Sequence, residues 1–215
     1  EENMKTKKFT TSQLTILGLM AGILFLMAYT PLGYLNIGPL AVTFNVIPVA
    51  VCAIVLGPTG GAIAGAVFGL TSFMQAIGIG GVSALGSALF QINPFMTAVQ
   101  CFGPRILDGI CIGFIYRAVH KKANTYVSCA VTGFFSAFLN TLFFMTALIV
   151  MFGNTELIRN LMGGHNIIVG CCLMVGVNAI SEMVSSTIIT AAVGTALSKA
   201  HLIPAVQIVK TDTAA

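Results

Sequence analysis

The sequence predicts an all-α integral membrane protein: a bundle of six transmembrane helices, with both chain ends on the cytoplasmic side and a polar pocket opening outwards. Three observations predict it. Of 215 residues 57% are hydrophobic and only 7% charged, with a mean hydropathy of +0.97, whereas a soluble domain is typically about 25% charged. The apolar residues fall into six runs of a length suited to crossing a bilayer. The basic residues gather before the first run (Lys5, Lys7, Lys8), between the fourth and fifth (Arg117, Lys121, Lys122) and at the end (Lys199, Lys210). Six crossings bring all three groups to one face, the cytoplasmic one, and leave Arg159 alone in an opposite connection.

This divides the chain into a cytoplasmic segment (1–12), one membrane domain (13–200) and a cytoplasmic tail (201–215). Residues 1–3, ahead of Met4, read as a remnant of expression. The first span, residues 13–30, follows the lysines as a signal peptide would, but it runs long and more spans follow, so it is expected to remain as a helix. Pro31 and Gly33 close it. Gly18 and Gly22 are spaced for the close approach of another backbone. Residues 31–39 form a turn-rich connection. The second span, 40–56, contains Asn45 and Pro48 and is expected to be kinked or to begin irregularly.

A sharp turn at 57–61 leads to the third span, 60–77, where Gly61, Gly65 and Gly69 make a glycine stripe. Such a stripe packs either within the chain or against a partner subunit. Residues 78–100, with clustered glycines and then Gln91, Asn93 and Pro94, suit a long loop with a short helix. That loop is either a wall or gate of a pocket or a plain extracellular connection. The fourth span, 102–119, carries Arg105 and Asp108 three residues apart, on one helical face. Lipid exposure of such a pair costs several kcal/mol, so it faces the bundle interior or a watery pocket. The fifth span, 126–152, contains Ser136, Asn140 and Thr141; the sixth, 166–200, sets Asn178 and Glu182 four apart on one face.

Counting from the outer ends places Asn140 and Asn178 each about 18 Å deep, with Arg105 and Asp108 nearer the entrance. Helices four to six thus line the pocket, under a roof of the loops at 31–39 and 78–100. Each amide also has a plain use as a helix–helix hydrogen bond, Glu182 as an ion pair or a neutral acid, and Arg105 with Asp108 as a structural pair.

Several chemistries are excluded. There is no P-loop, H-E-x-x-H, D-F-G or G-x-S-x-G motif, and no nucleophile placed with a base, so an enzyme is disfavoured. His120, His165 and His201 are too scattered to hold a metal together. The six cysteines, mostly within apolar runs, lack C-x-x-C spacing and read as small buried hydrophobes. No basic stripe suggests nucleic acid, and no cofactor is expected.

Residues 42–71, VTFNVIPVAVCAIVLGPTGGAIAGAVFGLT, and 104–117, PRILDGICIGFIYR, resemble the S components, the substrate-binding membrane subunits, of energy-coupling factor (ECF) transporters. The resemblance covers most of residues 14–200, and the V-T-F-x-x-I-P-V run followed by G-P-x-x-G is most similar to pantothenate-type members. It implies a six-helix protein that binds a water-soluble vitamin outside and works with a transmembrane coupling subunit and two ATP-binding-cassette ATPases. Small residues on the first helix dock to the coupling subunit in that family, commonly as alanines four apart; here Gly18 and Gly22 stand with Ala21 and Phe25.

On this reading the substrate is met by Arg105, Asn140, Asn178, Asn93, Gln91, Asp108, Glu182 and Tyr34, and the partner by Gly18, Gly22, Gly61, Gly65 and Gly69. Tyr34 and residues 78–100 are expected to close over the ligand, with no proton or sodium dependence. Cobalamin, folate or another vitamin are the alternative substrates. A stand-alone solute channel or secondary transporter is the alternative class, although no internal repeat of the kind large transporters carry is found.

Overall fold

The computed structural model describes residues 10–30, 34–36, 41–80, 83–161 and 167–203, without the side chains of 34–36, 41–42, 167–175 and 177. The expected amino-terminal lysines, Pro31, Gly33, His165 and Lys210 lie outside the described residues. In chain order the elements are α1 (Thr11–Tyr29), β1 (Tyr34–Asn36), β2 (Ala41–Thr43), α2 (Val46–Ala76), α3 (Ala84–Ile92), α4 (Pro94–His120), α5 (Thr125–Phe152), α6 (Glu156–Leu161) and α7 (Ile167–Lys199). Five of these helices (α1, α2, α4, α5 and α7) are long and apolar enough to cross a membrane. Large apolar side chains also point outward on many faces, with Phe95 and Val150 each 78% exposed. A surface so apolar requires lipid or partner helices around it, and the chain is a multi-pass membrane protein.

Local chemistry explains the helix ends. Thr10 and Gln13 close a capping box at the start of α1: the Thr10 amide donates to Gln13 Oε1 at 3.0 Å, and the Thr10 hydroxyl accepts from the Gln13 amide at 3.4 Å. Asn93 Oδ1 accepts from the Met96 amide at 3.1 Å and Pro94 occupies the first turn of α4, where a missing N–H is harmless. Asn124 Oδ1 accepts from the Val127 amide at 2.9 Å to start α5. The fifth and sixth spans therefore match expectation closely. The fourth does not: it begins at Pro94, eight residues earlier than expected, because Asn93-Pro94 is a cap rather than a loop. The short helix expected within 78–100 is α3.

α2 is one helix only in name. Gly57 stands at φ 73° and ψ −163°, a region that side chains with a Cβ avoid. Pro58 then starts the next arm. A Cβ built on Gly61 would lie 3.0 Å from that of Ala53, whereas eight residues of continuous helix separate by about 12 Å. The chain thus turns back at Gly57, and the two arms lie against each other. Arg117 packs over Gly57, and Gly113 over Pro58, tying this turn to the basic end of α4.

The arm from Val46 to Leu56 spans only about 16 Å, so the second span is shorter than expected. Residues 41–43 enter instead as the strand β2, antiparallel to β1 with Leu35 opposite Val42. The expected connection at 31–39 is therefore partly a ribbon, a small exception to the helical fold. The ribbon reaches α7, where the Thr43 amide donates to Glu182 Oε1 at 2.6 Å, and just past it the Ser136 hydroxyl donates to Val46 O, at the start of α2, at 3.3 Å. Non-helical backbone at that depth is tolerated because protein surrounds it.

The main core joins Leu24, Val46, Val49, Ala50, Ala53, Phe68, Ile112 and Ala137 from α1, α2, α4 and α5. A second cluster, Leu89, Met145, Leu148, Phe152 and Ile158, joins α3, α5 and α6 at the ribbon end. Cys52, Cys101 and Cys129 are buried free thiols and Cys111 is half-buried; the side chains of Cys171 and Cys172 are outside the description.

The glycine stripe of α2 is taken by α4. Cβ atoms at Gly61, Gly65 and Gly69 would strike the carbonyl oxygens of Gly109, Arg105 and Cys101 in turn. Of the two uses expected of this stripe, these contacts are packing within the chain, with α4 filling the face the glycines open. Gly18 and Gly22 differ: nothing lies within 4 Å of a Cβ at either position.

Candidate substrate site

Arg105 owes its position to the residue before it. Pro104, inside α4 and buried, has no amide N–H to donate to Gln100 O four residues back. Arg105 Nη1 donates to that released carbonyl at 3.1 Å. Its guanidinium carbon then lies 4.9 Å from the ring centre of Phe68 and 5.2 Å from that of Phe144, an arrangement favourable to a desolvated cation. Gln100 itself, 1% exposed, donates from Nε2 to Phe144 O at 2.9 Å and so clamps α4 to α5.

Several buried polar atoms along the bundle stand without partners, among them atoms of Arg105 itself and of its neighbours Gln100 and Asp108. Arg105 Nε, Asp108 Oδ1, Asn140 Oδ1, Gln100 Oε1 and both side-chain polar atoms of Asn45 are buried and make no hydrogen bond. Each such group costs about 1–3 kcal/mol if left unmet, which makes those beside Arg105 candidates for a partner supplied by another molecule. Because Arg105 Nε and Asp108 Oδ1 both stay unpartnered, these two atoms do not satisfy each other. Asp108, 2% exposed, lies within electrostatic reach of Arg105 and beside Ser136. Glu182, 5% exposed, is also within electrostatic reach of Arg105. Asn178 is buried one turn before it.

Arg105 stands eleven residues into α4, Asn140 twelve from the end of α5, and Asn178 eleven into α7, all about 16–18 Å along their helices. Counted from these helix ends, Arg105 lies about as far along its helix as the two amides do along theirs, whereas a later start of α4 put it closer to the end. Asp108, Asn140, Asn178 and Glu182 are buried, and Arg105 is half-buried. Gln91 is exposed on α3, and Asn93 has its carbonyl oxygen engaged as the α4 cap. Tyr34 lies in β1, and its side chain falls outside the description. Sequence reading did not single out Asn45 and Gln100 as candidates, although both hold buried side-chain atoms without partners. The available signal was an amide inside an otherwise apolar run, which Asn140 and Asn178 also gave.

The Glu182–Thr43 bond fastens the ribbon to α7, and its loss has a readable consequence. A carboxyl acceptor on this part-buried amide contributes about 0.5–3 kcal/mol, so E182A is expected to speed hydrogen exchange of the Thr43 amide by roughly 2- to 150-fold. E182Q, which keeps an acceptor oxygen, is expected to fall between. Exchange unchanged in E182A would remove the latch.

A multi-span membrane protein whose interior holds a half-buried arginine beside buried carboxyl groups and open amides is built to bind a small polar solute. The chain belongs to the family described as "ECF transporter, substrate-specific component", which matches residues 12–194. Membership makes it a non-catalytic substrate-binding membrane subunit and implies association with a coupling subunit and ATPase subunits. Among the described residues, no three His, Cys, Asp or Glu gather as a metal site.

Two relatives are similar over nearly their whole length. The pantothenate transporter PanT of Leuconostoc mesenteroides subsp. mesenteroides is 33% identical over 204 residues, covering 91% of this chain and 94% of that protein. The pantothenic acid transporter PanT of Lactococcus lactis subsp. cremoris is 28% identical over 208 residues, covering 91% of this chain and 98% of that protein.

Proposed function

We propose that this subunit binds pantothenate from the outer side of the cell membrane and delivers it through a coupling subunit driven by two ATPases. The observation that carries the reading is Arg105, held by the Pro104-released carbonyl between two aromatic rings with Nε unpartnered. A guanidinium so placed suits a carboxylate. Pantothenate also carries hydroxyl and amide groups, which suit the open atoms of Asp108, Asn140 and Asn45. Likeness to two pantothenate transporters supports the choice of vitamin. Titration of the purified chain against a panel of vitamins tests it: sub-micromolar binding of pantothenate is expected, and tight binding of cobalamin or folate with none of pantothenate would overturn the substrate while leaving the class.

Counting the two arms of α2 separately gives six spans with both ends cytoplasmic, and the pocket then opens outwards at the ribbon end. Thiol labelling in intact cells tests this arrangement. A cysteine engineered at Asn124, between α4 and α5, is expected to be reached only from inside and one at Asn160, in α6, from outside; the reverse pattern would overturn it. Docking to the coupling subunit falls on α1, where Gly18 and Gly22 leave open space flanked by the exposed side chains of Leu14, Leu19 and Leu26.

A further inference from the structure

We infer that Gln100 is a specificity-determining residue of this site: its side-chain oxygen accepts a hydrogen bond from the ligand's N–H donor nearest the carboxylate that Arg105 holds. The inference rests on the pantothenate reading and adds to it which bond of the ligand is read, and by which residue.

The orientation of the Gln100 amide is fixed by its surroundings. Nε2 can only donate, and it does so to Phe144 O at 2.9 Å, so the other end of the amide must be the oxygen. That oxygen is buried and has no partner. The same residue's backbone carbonyl holds Arg105 Nη1 at 3.1 Å. Gln100 thus carries one end of the arginine on its main chain and an unmet acceptor on its side chain. Arg105 contributes the complementary unmet donor, Nε.

A bare carboxylate can meet the donor but has no proton for the acceptor. Both are met by an anion that also bears an N–H a few bonds from its carboxylate. The amide of a β-amino acid has this layout, with two methylene groups between the two functions, and pantothenate contains such an amide.

Replacing the N–H by oxygen, in the ester analogue of pantothenate, keeps shape and charge while removing the donor. Wild-type protein is expected to bind this ester about 5- to 150-fold more weakly than pantothenate, the range for leaving one buried acceptor unmet. In Q100M the acceptor is gone, and the two ligands are expected to bind within about twofold of each other, whatever the absolute affinity. Equal affinity of amide and ester for the wild type would overturn the inference without any variant, and so would full discrimination retained in Q100M. If wild type binds neither ligand but takes another vitamin, the substrate reading itself has failed. Weak ester binding that Q100M leaves unchanged would instead assign the N–H to a different acceptor.

Discussion

Replacing Arg105 by alanine is expected to weaken pantothenate binding by roughly 30-fold to several thousand-fold, about 2 to 5 kcal/mol, with folded protein still obtained. The size follows from desolvation. Inside the bundle an anion cannot exchange the guanidinium for water, so losing the cation leaves the carboxylate buried without a counter-charge. Folding is expected to survive because Arg105 Nε and Asp108 Oδ1 are not consumed by one another, and among the described residues the hydrogen bond lost with the arginine is the one to the Gln100 carbonyl. R105K is expected to recover little, since an ammonium is a point charge and cannot hold that carbonyl while presenting a flat N–H edge to a carboxylate. N140A removes one open amide and is expected to cost less, about 1–3 kcal/mol. Calorimetric titration of the folded variants decides the matter. Near wild-type affinity in R105A would take Arg105 out of the site, and loss of folded protein would return it to a structural pair with Asp108.

What the sequence revealed, and what it did not, follows from how far each signal reaches along the chain. The ends of α5 and α7 were legible because long apolar runs there stop at polar caps such as Asn124 and at the basic Lys199. The start of α4 was misread because Asn93-Pro94 has the composition of a loop, and only the hydrogen bond to the Met96 amide reveals a cap. That one error moved Arg105 towards the entrance in the depth count. The ribbon was illegible since its three-residue strands carry no period long enough to detect, and their place is set by a distant acceptor, Glu182. Gln100 and Asn45 were passed over because a single amide in an apolar run looks the same whether it clamps two helices or faces a ligand. For Gln100 the structure shows the clamp at one end of its amide and an unpartnered oxygen at the other.

The glycines separate two uses of small residues that sequence spacing cannot distinguish, and two substitutions draw the line between them. G65L is expected to abolish the folded protein. Its Cβ would strike the Arg105 carbonyl oxygen, a backbone atom that cannot rotate aside, so α2 and α4 would have to part along their whole seam. Overpacking a core by a methylene or two costs about 1–3 kcal/mol, and a leucine driven against backbone is expected to exceed that. The readout is the monodisperse fraction after detergent extraction, together with loss of the thermal transition. G18L meets open space instead, so it is expected to fold, to bind ligand within about twofold of wild type, and to lose copurification with the coupling subunit. A folded, ligand-binding G65L that no longer copurifies would return the α2 stripe to the partner interface. A G18L that copurifies normally would move docking away from α1.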